Sequence, residues 1–157
     1  MNYIIREIEK SKIVLLQDFL YEAIYVPEGS RKPDKSIIEL PELQIYIEDF
    51  GARADDYCLV AEVEGEIAGA VWVRIIDDYG HIDDETPSLS ISLYEEYRGY
   101  GLGTQMMKEM IDRLRNYEYE KLSLSVQKSN YAAEIYKGLG FTVYDENEEE
   151  YIMIFHL

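Results

Sequence analysis

From Tyr97 to Thr104 the chain reads Tyr-Arg-Gly-Tyr-Gly-Leu-Gly-Thr. Gly99, Gly101 and Gly103 present no side chains and can adopt positive φ, so successive backbone N–H groups can converge on an anion, with phosphate the natural candidate. Upstream, Leu89, Ile91 and Leu93 alternate with serines across Ser88 to Leu93, which is the period of a half-buried strand. Downstream, Leu102, Met106, Met110, Ile111 and Leu114 recur at helical spacing, while Lys108, Glu109, Asp112 and Arg113 take the other face. The run is therefore a strand-to-helix turn. Its spacing does not fit the dinucleotide fingerprint, because Thr104 follows Gly103 where G-x-G-x-x-G needs a different register, and it lacks the Lys that a P-loop carries before its Ser or Thr.

The remaining pattern, Arg98-x-x-Gly101-x-Gly103, resembles the acyl-coenzyme A signature of the GNAT family of N-acetyltransferases, Arg/Gln-x-x-Gly-x-Gly/Ala. A second block strengthens the resemblance. After a strand-like alternation of Leu122, Leu124 and Val126 comes Asn130-Tyr-Ala-Ala133-Glu-Ile-Tyr136-Lys-Gly-Leu-Gly140-Phe141, close to the family's Asn-x-x-Ala-x-x-Leu-Tyr-x-x-x-Gly-Phe, with Ile135 in place of Leu. Read physically, Asn130 suits the N-cap of a short helix, Ala133 allows close approach on one face, and Gly140 lets the chain leave the helix for the strand opened by Phe141. Tyr136 is one of fifteen tyrosines, most of which must serve packing or surface. The resemblance spans Ser88 to Tyr144.

Composition limits what such a site can serve. At 157 residues the chain has the length of one domain, residues 1–157, and its 47% apolar content supplies a core. No stretch reaches the apolar length of a membrane span, and Arg6, Glu7, Glu9 and Lys10 leave no signal-peptide core, so a cytoplasmic protein with no membrane partner is expected. The single cysteine, Cys58, lies in strand-like Tyr57 to Val63 and is expected as a buried core thiol, not a nucleophile. The net charge of −17 argues against nucleic acid as a partner. It would concentrate cationic substrates but repel a polyanionic cofactor, whose site needs local attraction from Arg98, the loop amides, the helix N-terminus and Lys137. Asp145 to Glu150 reads as a solvated acidic loop between two closing strands, Phe141 to Tyr144 and Tyr151 to Phe155.

The N-terminal half must supply the acceptor side. Tyr3 to Ile8 reads as a strand and Lys12 to Tyr25 as an amphipathic helix with Ile13, Leu16, Leu20 and Ile24 on one face. Val26 to Lys35 breaks regular structure, and Pro41 to Phe50 is predicted as a second helix with Pro41 in its first turn. Leu59-Ala61-Val63 and Val71-Val73-Ile75 flank Glu64-Gly65 as a hairpin. The resulting order, β1-α1-α2-β2-β3-β4-α3-β5-α4-β6-β7, is the one the resemblance implies for an α/β fold with a mixed, mostly antiparallel, splayed sheet flanked by helices.

The same resemblance implies an N-acetyltransferase that moves the acetyl group of acetyl-coenzyme A directly to an amine in a ternary complex, without a metal. Tyr136 would assist the leaving thiolate. Leu93, Arg98, Gly99, Tyr100, Gly101, Leu102, Gly103, Thr104, Asn130, Ala133 and Tyr136 would contact the cofactor, Leu93 at the thioester and pantetheine arm. A non-catalytic acyl-coenzyme A-binding regulatory module is the alternative, and a homodimer is left open. The acceptor, a small-molecule or peptide amine, is not chosen by the sequence, nor is the base: Asp77, Asp78, His81, Asp83, Asp84 and Glu85 all precede the Ser88 strand. Trp72, Tyr25 and Tyr46 are candidate walls of an acceptor pocket, and His156 is expected to be exposed or at a strand edge.

Overall fold

Period-two segments become strands wherever one or both of their faces find cover, and the computed structural model, which describes residues 1–157, joins seven of them in one sheet. They are β1 (Tyr3–Glu7), β2 (Tyr57–Val63), β3 (Glu66–Arg74), β4 (Ser88–Leu93), β5 (Lys121–Gln127), β6 (Thr142–Glu146) and β7 (Glu150–His156). Their spatial order is β1-β2-β3-β4-β5-β7-β6. All neighbours are antiparallel except β4 and β5, which run parallel and share one aligned pair, Ser88 with Ser123. Past that pair the two strands part, and the sheet is splayed from there on.

Four helices complete the fold: α1 (Leu16–Glu22), α2 (Pro41–Gln44), α3 (Leu102–Asn116) and α4 (Ala132–Leu139). Strands β2 and β3 are covered on both faces. Leu59, Ala61, Val71 and Val73 pack with Met106, Met107, Met110, Ile111 and Leu114 of α3, while Cys58, Val60, Ala70 and Trp72 pack with Leu16, Phe19 and Leu20 of α1. Each of the Val, Leu, Ile, Phe and Met side chains removed from water contributes about 1.5–3 kcal/mol. The hairpin at Glu64-Gly65 forms with both residues at positive φ, 50° and 87°, as the right-handed twist of a two-residue turn demands. No helix is long and apolar enough to cross a membrane.

Both N-terminal helices are shorter than periodicity suggests, and the reasons are specific. Lys10–Leu15 is a 3-10 turn, and α1 ends at Glu22 because the Ile24 N–H closes a tight bond to Tyr21 O (3.1 Å). The Tyr21 hydroxyl then donates to Pro33 O at 2.6 Å and draws the following segment back on itself. The predicted second helix stops at Gln44 because β3 takes its carbonyls. Trp72 Nε1 donates to Tyr46 O (3.1 Å), and Arg74 Nη1 donates to Ile45 O and Glu48 O (both 2.9 Å). Those oxygens are thereby diverted from the helical ladder, and Asp49 turns the chain at a φ of 51°. Farther on, β6 extends through Glu146, so the acidic loop is confined to Asn147–Glu149, with Asn147 Oδ1 accepting the Glu149 and Glu150 N–H groups at 2.8 Å.

Candidate active site

The opening between β4 and β5 is a cleft of about 1290 Å³. Its walls include Leu89–Leu93 of β4, Leu124–Gln127 of β5, the Arg98–Thr104 turn, and Asn130, Ile135 and Tyr136 around α4; residues 20–33 run along its mouth. That volume exceeds the few hundred to about 1,000 Å³ of an ordinary small-ligand pocket.

The glycine turn lies at one end. Gly99 and Gly101 have φ of 87° and 82°, and a Cβ on either would meet nothing within 4 Å, so conformation and not packing calls for glycine there. Gly103 differs from the expectation of a positive φ. It sits in the first turn of α3, where a Cβ would lie at ordinary contact from Leu93 Cδ1 (3.9 Å) and Ile91 Cδ1 (4.0 Å). The start of this 15-residue helix, whose first N–H groups have no intrahelical partner, lines the cleft through Leu102, Gly103 and Thr104. No acidic residue occupies that first turn, whereas Arg113 and Arg115 occupy the last, the arrangement that leaves the N-terminal partial positive charge unopposed.

Arg98 points back across the cleft. Its Nε donates to Leu93 O (3.1 Å) and its Nη2 to Glu22 Oε2 at the end of α1 (2.8 Å). Leu93 itself is set by β3. Because the Tyr94 N–H donates to Ala68 O on the β3 side (2.9 Å), strand alternation turns the Leu93 N–H and C=O toward the cleft, where β5 has already diverged. Gly69 makes room for this: a Cβ there would lie 2.4 Å from Leu93 Cδ2 and 2.6 Å from Ser92 O. Sequence reasoning passed over Gly69, although an isolated glycine in a strand is a known sign of a bulge or close approach, and β2 and β3 do slip register opposite it.

Tyr136 lines the cleft from α4, packed on Phe141 with ring centroids 5.9 Å apart. Burial pushes its phenol up to about 12, so it is a neutral hydrogen-bond donor throughout the physiological range. Asn130 caps α4 from just before it, Oδ1 accepting the Ala132 N–H at 3.0 Å. Gly140 ends the helix at a φ of 117°, against Phe155.

Several other expected positions lie elsewhere. Ala133 is 2% exposed, part of the core beneath α4, and it is Ala132 that lines the cleft; Tyr100 projects outward, 65% exposed. Lys137 pairs with Glu134 (3.4 Å) over the Tyr151 ring and is not a cleft residue. Trp72 is buried and serves as a clamp on Tyr46, while Tyr25 and Tyr46 do line the cleft. Cys58 is buried, its thiol pushed up by desolvation, and His156 is exposed at the end of β7.

The acidic connection also sorts itself. Asp83 holds its own loop, accepting from Thr86 Oγ1 (2.7 Å), the Glu85 N–H (2.9 Å) and Lys121 Nζ (3.1 Å), and these bonds hold its carboxyl at about 2. His81 is engaged at both nitrogens, Nδ1 with Ile76 O (2.8 Å) and Nε2 with Asp84 (3.4 Å). Of the six candidate bases only Asp78 lines the cleft. Desolvation raises its pKa above the ordinary carboxylate value, partly offset by the neighbouring Tyr46 phenol and by the Ser88 hydroxyl, which donates at 3.1 Å.

Comparison with known proteins identifies the fold and the family. The coenzyme A complex of the PaiA N-acetyltransferase from Thermoplasma acidophilum superposes over 100% of both chains with a TM-score of 0.74 at 18% identity, which shows a shared fold. An N-alpha-acetyltransferase of Saccharolobus solfataricus is 31% identical over 110 residues, 60% of this chain and 65% of that protein. The uncharacterized N-acetyltransferase YobR of Bacillus subtilis is 34% identical over 76 residues, 48% of this chain and 28% of that protein. The match thus spans less than two thirds of either curated relative. The profile of the acetyltransferase (GNAT) family matches residues 20–141, which hold the glycine turn, the splayed strands and Tyr136. This chain belongs to the GNAT family of acetyltransferases.

Proposed function

We propose that the chain transfers an acetyl group from acetyl-coenzyme A to an amine, with both substrates held in the β4–β5 cleft at once. The observation that carries this assignment is that the glycine turn leading into the N-terminus of α3 and the side chain of Tyr136 line one continuous cavity. Its coenzyme A-bound structural neighbour supports the same ligand. The residues fit it: Gly99 through Thr104 would cradle the pyrophosphate with backbone amides, and the Gly103 position keeps methyl-sized space open for close approach. With Asn130 Oδ1 committed to the Ala132 N–H, its amide nitrogen is left for the pantetheine arm.

The Leu93 N–H would polarise the thioester carbonyl, as a fixed dipole needing no reorganisation. As the amine nitrogen bonds to the carbonyl carbon and the C–S bond breaks, Tyr136 would donate a hydrogen bond to the departing sulfur. A phenol at about 12 is a weaker acid than a thiol at about 8.5, so it stabilises the thiolate without surrendering its own proton. The proton that ends on sulfur then comes from the amine. The cleft's continuation toward Tyr46 and Asp78 leaves room for an acceptor, which favours an enzyme over a cofactor-binding module.

The deciding measurement is thiol release from acetyl-coenzyme A across a panel of primary amines. Amine-dependent release is expected. A protein that binds coenzyme A by calorimetry yet acetylates no amine would refute the assignment as an enzyme.

A further inference from the structure

One carboxylate at the foot of the cleft is built unlike the others. Asp78 stands where β4 and β5 separate, immediately beside the Ser88–Ser123 pair, and the turn that carries it is fixed on every side. The His81 N–H donates to Asp78 O (3.1 Å), and Ser123 Oγ donates to Gly80 O (2.9 Å). A Cβ on Gly80 would lie 3.5 Å from Asp78 Oδ2 and 3.7 Å from Ser125 N, so this turn lies alongside β5. Opposite stands Tyr46. Its backbone is gripped by Trp72 through its own carbonyl and by Arg74 through those of Ile45 and Glu48. Arg74 is anchored in turn by Asp56, with Nε to Oδ1 at 3.0 Å and Nη2 to Oδ2 at 2.9 Å, both side chains out of water.

Such a clamp fixes the backbone of Tyr46, whose side chain lines the cleft together with Asp78. Glu22, the cleft carboxylate nearest the cofactor end, is spent on Arg98, and Glu28 and Glu42 are exposed. Glu150 of β7 lines the cleft beyond Tyr46 and adds negative charge there.

We propose that Asp78 takes up, through water in the cleft, the proton that the acceptor's ammonium group must lose, with Tyr46 as its positioning residue. This rests on the acetyl-transfer function above. An ammonium becoming an amide nitrogen loses two protons. One passes through water in the cleft to the Asp78 carboxylate before attack; the other reaches the leaving sulfur once the N–C bond has formed. The groups that set the charge on Asp78 are Tyr46, Ser88 and His81, with Glu150 acting on Tyr46.

The test uses the full chain and whichever panel amine the wild type acetylates fastest. Asp78→Asn keeps an oxygen for Ser88 and should leave coenzyme A affinity unchanged while lowering kcat about 10²- to 10⁴-fold. Wild-type kcat should fall as pH drops through the carboxyl's titration. In Asp78→Asn that step should vanish, leaving a rate that tracks only the free-amine fraction. Asp78→Glu should restore the step. Tyr46→Phe removes a group that favours the charged carboxylate, so the step should move to higher pH, a shift that a merely structural residue would not produce. An unchanged pH profile in Asp78→Asn, or loss of the step in Glu150→Gln instead, overturns the proposal while the acetyl-transfer function stands. A wild type that binds coenzyme A and acetylates nothing overturns both.

Discussion

Replacing Glu22 by Gln should tighten coenzyme A binding. In the free protein the Arg98 guanidinium is taken by Glu22 Oε2 at 2.8 Å and by Leu93 O at 3.1 Å, so a pyrophosphate arriving at the turn must compete with a carboxylate for the same cation. The pair is only partly shielded, with 45% of the Arg98 side chain and 22% of Glu22 exposed. Ion pairs in such settings are worth about 0.2–1 kcal/mol, and releasing that competition corresponds to roughly a 1.4- to fivefold lower Kd. Repulsion between Glu22 and the incoming phosphates acts in the same direction and is screened by salt, so the gain should be greatest at low ionic strength. Calorimetric titration of wild type and Glu22→Gln with coenzyme A at low and high salt measures it. The same substitution in an Arg98→Ala background should lose most of its effect, because the two residues are coupled. A folded Glu22→Gln protein with unchanged or weaker affinity, or an equal gain without Arg98, would refute the competition.

Three further outcomes follow from the geometry. Gly103→Ala should raise the Tm slightly, since alanine is favoured by up to about 1 kcal/mol in a helix and its methyl fits at 3.9 Å from Leu93, yet weaken coenzyme A binding about tenfold or more by filling the cradle. Binding as tight as wild type would place the pyrophosphate elsewhere. Tyr136→Phe should reduce the single-turnover rate about 10²- to 10³-fold with little change in coenzyme A Kd, as loss of one donor to developing charge does; equal rates would remove Tyr136 from the chemistry. Stability should decline on the alkaline side, because burial raises the Cys58 thiol and pushes the Tyr94 and Tyr136 phenols up to about 12. The fold favours the protonated forms, so their contribution is complete below the unfolded values of about 8.5 and 10 and is lost as pH rises toward the folded ones. A urea midpoint that holds constant from pH 7 to about pH 11 would contradict this.

What could be read from the residues in advance was whatever depends on short-range spacing. The alternation across Ser88 to Leu93, the bare turn and the helical stripe of α3 lie within thirty residues of one another, and each has a local cause. The second block was equally local, down to Asn130 capping α4 and Gly140 closing it. The length of α2 was not legible, because distant side chains end it. Arg74 reaches Ile45 O and Glu48 O across 29 and 26 residues, and its partner Asp56 lies 18 residues away with no spacing that marks the pair. Asp78 could be named only as one of six candidates, since its difference from Asp83 or Asp84 consists in which way a loop faces. Ala133 and Lys137 err in a different way. They belong to a recognisable block, but on a helix a neighbouring position points 100° away, so Ala132 reaches the cleft while Ala133 supports the core.

The acidity of the chain poses a problem that the cleft resolves by using dipoles where charge would be expected. With 32 acidic against 15 basic residues, a polyanionic cofactor meets a repulsive field from most directions. Of the two cations along the cleft, Arg98 is paired with Glu22, and Lys32 is paired with Glu95 at 3.4 Å. Backbone amides carry no counter-ion that must first be displaced. The start of α3, Leu-Gly-Thr-Gln, carries no carboxylate beside its first N–H groups, so attraction there is local, directional and indifferent to the net charge outside a Debye length. At the other end the same acidity would favour the proposed acceptor, because an ammonium approaching Asp78 would pass Glu28, Glu42 and Glu150 with no free cation to oppose it. On the proposed function the two substrates would be distinguished within one cavity by the kind of electrostatics at each end, peptide dipoles for the anion and fixed carboxylates for the cation.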